Sequence, residues 1–294
     1  MAGAARRPTG GVFVSIFMSI FLGIVQGIAE FLPVSSSGHL SILQNLLHLK
    51  YSEDDHLLFV VILHLGTLVS IFIVYRREMK AMVSDGIEFL QRRGDRDSDE
   101  PVTLKPPGRA LLFVIIGTIP LVLALIFSSS IARLFYKTGF IGFALIITGA
   151  LLFVSDRYVK KGTKTEKTMT VGDALIIGLA QVVATIPGLS RSGTTISVGL
   201  ARGLNSAFAV RFSLLLSVPA VIGSMIASLY SAIKHGANFG LLPIYLIGFV
   251  FAAVVGYFSI QVTRRIMAKG KFGKIAYYCW GVGALTILLS LVLK

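Results

Sequence analysis

Gly23-Ile-Val-Gln26-Gly-Ile-Ala-Glu30-Phe-Leu-Pro33-Val-Ser35-Ser36-Ser37-Gly38-His39 is a polar turn set inside apolar sequence. A second version follows at an offset of 155 residues: Gly178-Leu-Ala-Gln181-Val-Val-Ala-Thr185-Ile-Pro187-Gly188-Leu-Ser190-Arg191-Ser192-Gly193-Thr194. Gly23, Gln26, Ala29, Ser35, Ser37 and Gly38 recur as Gly178, Gln181, Ala184, Ser190, Ser192 and Gly193. Chargeable side chains among Ser and Gly in an apolar setting are how a membrane protein marks its chemistry.

The composition supports that class. Of 294 residues, 54% are hydrophobic and 14% charged, and the mean hydropathy is +0.80. A soluble domain cannot hide so much apolar surface, so the chain reads as an all-α polytopic membrane protein. The net charge of +14 lies between apolar segments, with no basic stripe interleaved with aromatics, so no nucleic-acid partner is expected. The single cysteine, Cys279, excludes a disulfide framework and a cysteine metal site. The N-terminus to Thr9 carries Arg6 and Arg7 but no convincing cleavage site, and is read as retained.

Apolar segments fall at 12–32, 57–75, 110–130, 139–155, 171–187, 208–230, 239–261 and 275–293. The weaker helical stretches 33–48 and 188–205 are too polar to face lipid, and irregular backbone at membrane depth must be buried or line a cavity. The regions 12–48 and 171–205 therefore read as two re-entrant helix hairpins with tips at Pro33–Gly38 and Pro187–Gly193. Six spanning helices remain. The same offset sets Leu63-His64-Leu65 against Val218-Pro219-Ala220, so the repeat runs through one membrane domain, 1–294, as about 12–155 and 171–293. A hairpin plus three crossings per half makes it an inverted repeat whose hairpins meet near the midplane. Twenty of the 28 Lys and Arg residues fall on one side, which is cytoplasmic by the positive-inside rule; seven fall on the other, and Arg191 lies at a hairpin tip. On this reading 76–109 is a solvated cytoplasmic loop with a short amphipathic helix at 78–91, the first hairpin opens outward and both termini lie outside.

Gln26 and Glu30, four residues apart, share a helix face. A carboxylate at that depth needs a partner, and the reading is a metal ligand or proton-handling group rather than a packing hydrogen bond. Ser35-Ser36-Ser37-Gly38 caps the next helix and also forms an anion cradle. His39, directly after it, is a candidate nucleophile or general acid/base. Ser190-Arg191-Ser192-Gly193-Thr194 has the form of a phosphate clamp, with a guanidinium between hydroxyls and glycines; the plain alternative is an arginine pairing Glu30 for structure. It is not a P-loop, since the G-x-x-x-x-G-K-[ST] pattern is absent. His64, mid-helix, reads as packing against a hairpin. Asp173 reads as a helix cap, Arg202 and Arg211 as interface anchors, and Tyr75, Tyr158 and Tyr257 as interface markers.

Together the two motifs, Gln26 to His39 and Pro187 to Thr195, resemble the integral-membrane undecaprenyl-diphosphate phosphatases of the bacitracin-resistance type. The resemblance implies hydrolysis of the terminal phosphate of a C55 isoprenyl diphosphate, a lipid substrate, by a multi-pass protein of the plasma or inner membrane with an outward-facing, Mg²⁺- or Ca²⁺-dependent site. The monophosphate product is the carrier for cell-wall synthesis. It matches Glu30 to the family's second acidic position, Ser36 to the motif serine, His39 to the motif histidine and Arg191 to the phosphate-binding arginine. Gln26 takes the amide option at the first position. Catalysis is then expected from His39, Glu30 and Ser36, with His39 attacking phosphorus or activating Ser36 or water. Arg191, Ser190, Ser192, Ser35, Ser37, Gly193 and Thr194 bind substrate, and Glu30 and Gln26 hold the cation. A homodimer is compatible with this reading. The rival is an inverted-repeat transporter or flippase for a polyprenyl phosphate, which would need the arginine and the cradle but not the catalytic set.

Overall fold

A computed structural model of the chain describes residues 15–46, 53–94, 103–158, 161–235, 239–269 and 271–292. The N-terminal stretch with Arg6 and Arg7 lies outside them. Helix α1 (Ile16–Phe31) starts where the Met18 N–H donates to Ser15 at 3.1 Å, and it stops before Pro33, which disfavours helix in the residue ahead of it. Ser35 takes a left-handed φ of 70° and turns the chain into α2 (Ser36–Leu46). In the second half, Thr170 and Asp173 form a reciprocal capping box at the start of α8 (Val171–Val183). Pro187 and Gly188 make the turn, and Ser190 caps α9 (Arg191–Ala201) by accepting the Gly193 N–H at 3.0 Å.

Around these two hairpins stand α3 (Glu53–Gly94), α4 (Pro106–Thr118) with its continuation α5 (Val122–Ile126), a short α6 (Ser128–Leu134), α7 (Thr138–Ser155), α10 (Ser206–His235), α11 (Leu242–Ala268) and α12 (Lys274–Val292). Among the described residues, six stretches are long and apolar enough to cross a membrane: Leu58–Arg92, Pro106–Ile126, Thr138–Ser155, Ser206–Ser231, Leu242–Ala268 and Lys274–Val292. α1 and α8 are apolar but shorter, as expected for the two hairpins. The protein is an all-helical, multi-pass membrane protein. Among the described residues, strand-like pairing is limited to one isolated bridge between Lys164 and Leu204.

Three expectations are corrected. The helix expected at 78–91 is present and longer, running to Gly94 as the second part of α3 beyond a kink at Tyr75 (φ −106°, ψ 18°), so 76–94 is helix and not open loop. Arg, Glu, Met, Lys, Ala and Gln follow Tyr75, all good helix formers, so helix resumes directly after the kink. Tyr75 itself is buried, with the Arg264 guanidinium 5.9 Å from its ring centroid, and does not mark an interface. Segment 110–130 is likewise not one helix. Pro120 sits in a 3₁₀ turn, Ile119–Leu121, between α4 and α5.

Several packing pairs recur between the halves. α1 packs on α11 as α8 packs on α4, while α3 meets α10 and α7 meets α12. The tips repeat at atomic detail. Ser35 and Ser37 hydroxyls are 3.4 Å apart, as are those of Ser190 and Ser192. Ser35 accepts the Gly38 N–H at 3.2 Å, as Ser190 accepts that of Gly193. A Cβ on Gly38 would meet Gly188 at 3.0 Å, and one on Gly193 would meet Pro33 at 3.2 Å, so each tip touches the counterpart of its own turn residue. The α7–α12 crossing needs glycine on both sides. A Cβ at Gly142 would lie 2.8 Å from the Gly283 carbonyl, and one at Gly283 2.7 Å from that of Gly142.

Several charged residues pair with one another away from the hairpin tips. Buried Asp173 accepts from Lys164 at 2.9 Å and Arg202 at 2.8 Å, and Glu166 pairs with Arg211 at 2.7 Å. Arg202 and Arg211 are thus paired cations, and Asp173 is both cap and ion-pair partner.

Candidate active site

The hairpin tips converge on Glu30. Its position near the end of α1 places it one turn after Gln26, whose Nε2 donates to Oε2 at 3.0 Å. The Ser36 hydroxyl, at the start of α2, donates to the same oxygen at 2.7 Å. From the other hairpin, the Arg191 guanidinium pairs with Oε1 and the Ser192 hydroxyl donates to the Glu30 carbonyl at 3.4 Å. His64 brings Nε2 to 3.6 Å from Oε2, its ring held by Nδ1 at 2.8 Å from the Val60 carbonyl. A nearly buried carboxylate is therefore surrounded by polar partners from α1, α2, α3 and α9, a setting that suits charge-assisted hydrogen bonds.

A cavity of about 790 Å³ opens on this cluster. Its polar end is made by Glu30, Arg191, His64, Gln181 and the serines 35–37, 190 and 192. These serines belong to the tips that start α2 and α9, so two helix N-termini, each an anion-binding feature, border one space. Its remaining walls are mostly apolar, from Leu121, Val122, Ala124 and Leu125 and from Pro219 to Tyr230 on α10, with Thr118, Thr185 and Ser224 among them. Arg191 is fixed from behind. Thr195 donates to the Arg191 carbonyl at 2.8 Å and shares a 2.6 Å hydrogen bond with Ser213, while the Ser190 N–H donates to Thr148 on α7 at 3.1 Å.

Of the residues singled out from sequence, Glu30, Ser36, Arg191, Ser35, Ser37, Ser190 and Ser192 come together around this cavity. Gly193 lies behind it against Pro33 and Ser190, and Thr194 is buried with its hydroxyl unpaired. His39 is directed elsewhere. One helical turn beyond Ser36, its ring stacks on Tyr278 of α12 at 5.6 Å, with Nδ1 2.8 Å from the Ser35 carbonyl and Nε2 2.8 Å from the Tyr278 hydroxyl. It does not line the cavity. His64 and Gln181, not among the site residues expected from sequence, also line the cavity, and the repeat carries a signal for both: Gln181 is the counterpart of Gln26, and His64 that of Pro219, another wall residue.

Oxygen donors suited to a hard divalent cation are present in the Glu30 carboxylate and in Gln26 Oε1, a buried amide oxygen with no partner. Among the described residues, no group of three or more His, Cys, Asp or Glu is arranged around a metal position. The donor set therefore fits Mg²⁺ or Ca²⁺ when ligand phosphate supplies the remaining oxygens, which is the common arrangement for Mg²⁺.

Comparison with known proteins gives the same direction. A curated undecaprenyl-diphosphatase of Carboxydothermus hydrogenoformans is 39% identical over 267 residues, 90% of this chain and 93% of the relative. Those of Methanosphaera stadtmanae and Alkaliphilus metalliredigens are each 36% identical, over 90% of this chain and 95% of theirs. The family model described as bacitracin resistance protein BacA matches residues 19–285, which include both hairpins and all six candidate spans up to the last turns of α12, and the chain belongs to that family.

Proposed function

We propose that this protein is a phosphatase that hydrolyses undecaprenyl diphosphate to undecaprenyl phosphate and inorganic phosphate, recycling the lipid carrier for cell-wall synthesis. The observation that carries the reading is the Ser36–Glu30–Arg191 triplet at the polar end of an otherwise apolar cavity. A hydroxyl donating to a carboxylate is a nucleophile beside its base, and a guanidinium between two helix N-termini is a receptor for phosphate.

The chemistry follows from those positions. The terminal phosphate enters between the tips and takes the Arg191 guanidinium, together with Ser190, Ser192 and the exposed N–H groups. This frees Glu30 to accept the Ser36 proton. Ser36 Oγ forms a bond to the terminal phosphorus as the bond to the bridging oxygen breaks, and prenyl monophosphate leaves with the electron pair. Glu30 passes the proton it took from Ser36 to the departing monophosphate and is ionised again. It then takes a proton from water as that water bonds to phosphorus, and returns it to Ser36 Oγ as the serine–phosphate bond breaks and inorganic phosphate is released. Glu30 and Gln26 would hold a Mg²⁺ or Ca²⁺ ion, which when bound neutralises phosphate charge. His64, beside Glu30 and on the cavity wall, orients the carboxylate. His39 holds the Ser35 turn through its carbonyl, a positioning role rather than attack on phosphorus, because both ring nitrogens are already engaged. Transport alone gives no reason for Ser36 to sit on a carboxylate.

The site opens outward from the plasma or inner membrane. The support is that the exposed lining residues Leu125 and Tyr230 lie at the opposite ends of their spans from Arg109 and Arg211, which the sequence places on the lysine- and arginine-rich side. The test is phosphate release from C55 diphosphate by protein in lipid-supplemented detergent, with Mg²⁺ or with EDTA, for the parent, Ser36→Ala and Arg191→Ala. Metal-dependent release that is lost in both variants is expected. No release by folded parent protein would reject the phosphatase reading and favour transport.

A further inference from the structure

The site cavity does not end at its apolar walls. A second space of about 500 Å³ lies between α3, α4 and α10 and shares Thr118, Val122 and Pro219 with it. The shared residues fall where two helices are interrupted, at the break between α4 and α5 and at the proline inside α10. From there the groove follows α4 back from Thr118 to Leu111, about 10 Å along a helix. Met79, Met82 and Val83 of α3 close its far side.

Its chemistry admits one class of ligand. Apart from Thr118, every lining residue is apolar, and the Thr118 hydroxyl is turned back onto the Val114 carbonyl at 2.7 Å. Nothing there offers a hydrogen bond or a charge. Val83, Ile115 and Ile119 are more than half exposed, so the groove is open along its length toward the lipid side of the spans. Hydrocarbon that enters it through Thr118, Val122 and Pro219 stays continuous with whatever the Glu30–Arg191 cluster holds.

Resting on the phosphatase reading above, the geometry points to this groove as the subsite for the distal isoprene units of the substrate's prenyl chain. The diphosphate is held at the tips, the first units lie along Leu121–Leu125, and the chain passes Thr118 and Pro219 into the α3–α4–α10 groove. Chains of only a few units end before it. The groove is therefore a determinant of chain-length selectivity, set apart from the reacting atoms.

The experiment compares kcat/KM for C55 diphosphate with that for farnesyl diphosphate, in parent protein and in Ile115→Trp and Ile222→Trp, which fill the groove from an exposed and a half-buried position. Leu288→Trp, on the exposed face of α12, is the control. Each methylene of the ligand that can no longer be buried corresponds to about fourfold in affinity. The C55-to-C15 ratio should therefore fall about tenfold or more in both groove variants and not in the control. An unchanged ratio in both, in protein that keeps Cys279 buried, overturns the assignment and leaves the groove to bulk lipid. If the parent hydrolyses neither substrate, the phosphatase reading fails instead. A C55 monophosphate carrying a photoreactive terminal unit then still reports on the groove without turnover: crosslinks at 111–122 or 215–222 support it, and crosslinks confined to other helices reject it.

Discussion

Removing the Arg191 side chain should destabilise the protein more than removing both members of the ion pair. Arg191 and Glu30 join the two hairpins, and Glu30 is only 8% exposed. Breaking a buried pair by deleting one partner typically costs about 3–5 kcal/mol, because the survivor is left charged and uncompensated. Here the Arg191 side chain is 25% exposed, and Glu30 keeps Ser36 and Gln26 as donors, so about 2–3 kcal/mol is the expectation for Arg191→Met. Glu30→Gln should cost less, since the guanidinium can turn into the cavity. The double variant should recover part of the loss, giving a coupling energy of at least about 1 kcal/mol between contacting groups. The chain supplies its own probe. Cys279 is the only cysteine, is fully buried, and has its sulfur 3.9 Å from the Pro33 carbonyl at the first tip. Thermal exposure of that thiol to a maleimide dye in detergent therefore reports opening of the site itself. Arg191→Met matching the parent, or single effects that simply add within about 0.5 kcal/mol, would show that the hairpins are not held together by this pair.

Gly188→Ala should fail to assemble or lose at least about 2 kcal/mol, since Gly188 has φ +93° and an added Cβ would lie 2.7 Å from Ala144 and 2.6 Å from the Ile141 carbonyl. Gly281→Ala on α12, where nothing lies within 4 Å of the new carbon, should instead be neutral or stabilising by up to about 1 kcal/mol in the same melt. Burial alone would raise the Asp173 carboxyl, but Lys164, Thr170 and Arg202 outweigh it and hold the group at about 2. That lowered value makes its contribution, on the order of 1–2 kcal/mol, present above the unfolded pKa of about 4 and lost as pH falls toward 2. A melt of Asp173→Asn that follows the parent's acid limb without change would refute this. His39→Phe keeps the stack on Tyr278 but drops the hydrogen bond to the Ser35 carbonyl, so kcat should fall by no more than about tenfold, with a lower melting temperature; loss of about 10³-fold or more at unchanged stability would return His39 to the chemistry.

The two turns were legible in the sequence because their punctuation is local. Pro33, Gly38, Pro187 and Gly188 stop and restart helices wherever they stand, and Ser35 and Ser190 cap whatever helix follows. The six spans were legible from length and apolarity. What was missed depends on where a helix carries a residue in three dimensions. Adjacency to the serine run favoured His39, but α2 carries it toward Tyr278; His64, distant in sequence, is carried by α3 to Glu30. The end of the apolar stretch at Tyr75 coincides with the kink in α3, but hydropathy does not show that the following helix continues the same element to Gly94.

The same offset also explains how two copies of one hairpin make a single asymmetric site. Position by position, Glu30 corresponds to Thr185, Ser36 to Arg191 and His39 to Thr194. The scaffold residues, Ser35 with Ser190, Ser37 with Ser192 and Gly38 with Gly193, are identical and make the same hydrogen bonds. The chemistry sits where the copies differ. The first hairpin supplies the acid and the hydroxyl, and the second puts a cation where the first has that hydroxyl. Gln26 and Gln181 reflect the same division. Gln26 gives its amide nitrogen to Glu30 and leaves its oxygen unpaired. Gln181, with a threonine where Glu30 would be, leaves its nitrogen unpaired on the cavity side. A symmetric pair would place two carboxylates or two cations face to face at low dielectric, where like charges repel strongly. Divergence at two positions turns that repulsion into the Glu30–Arg191 pair, which sets a carboxylate from one hairpin against a cation from the other where the tips meet.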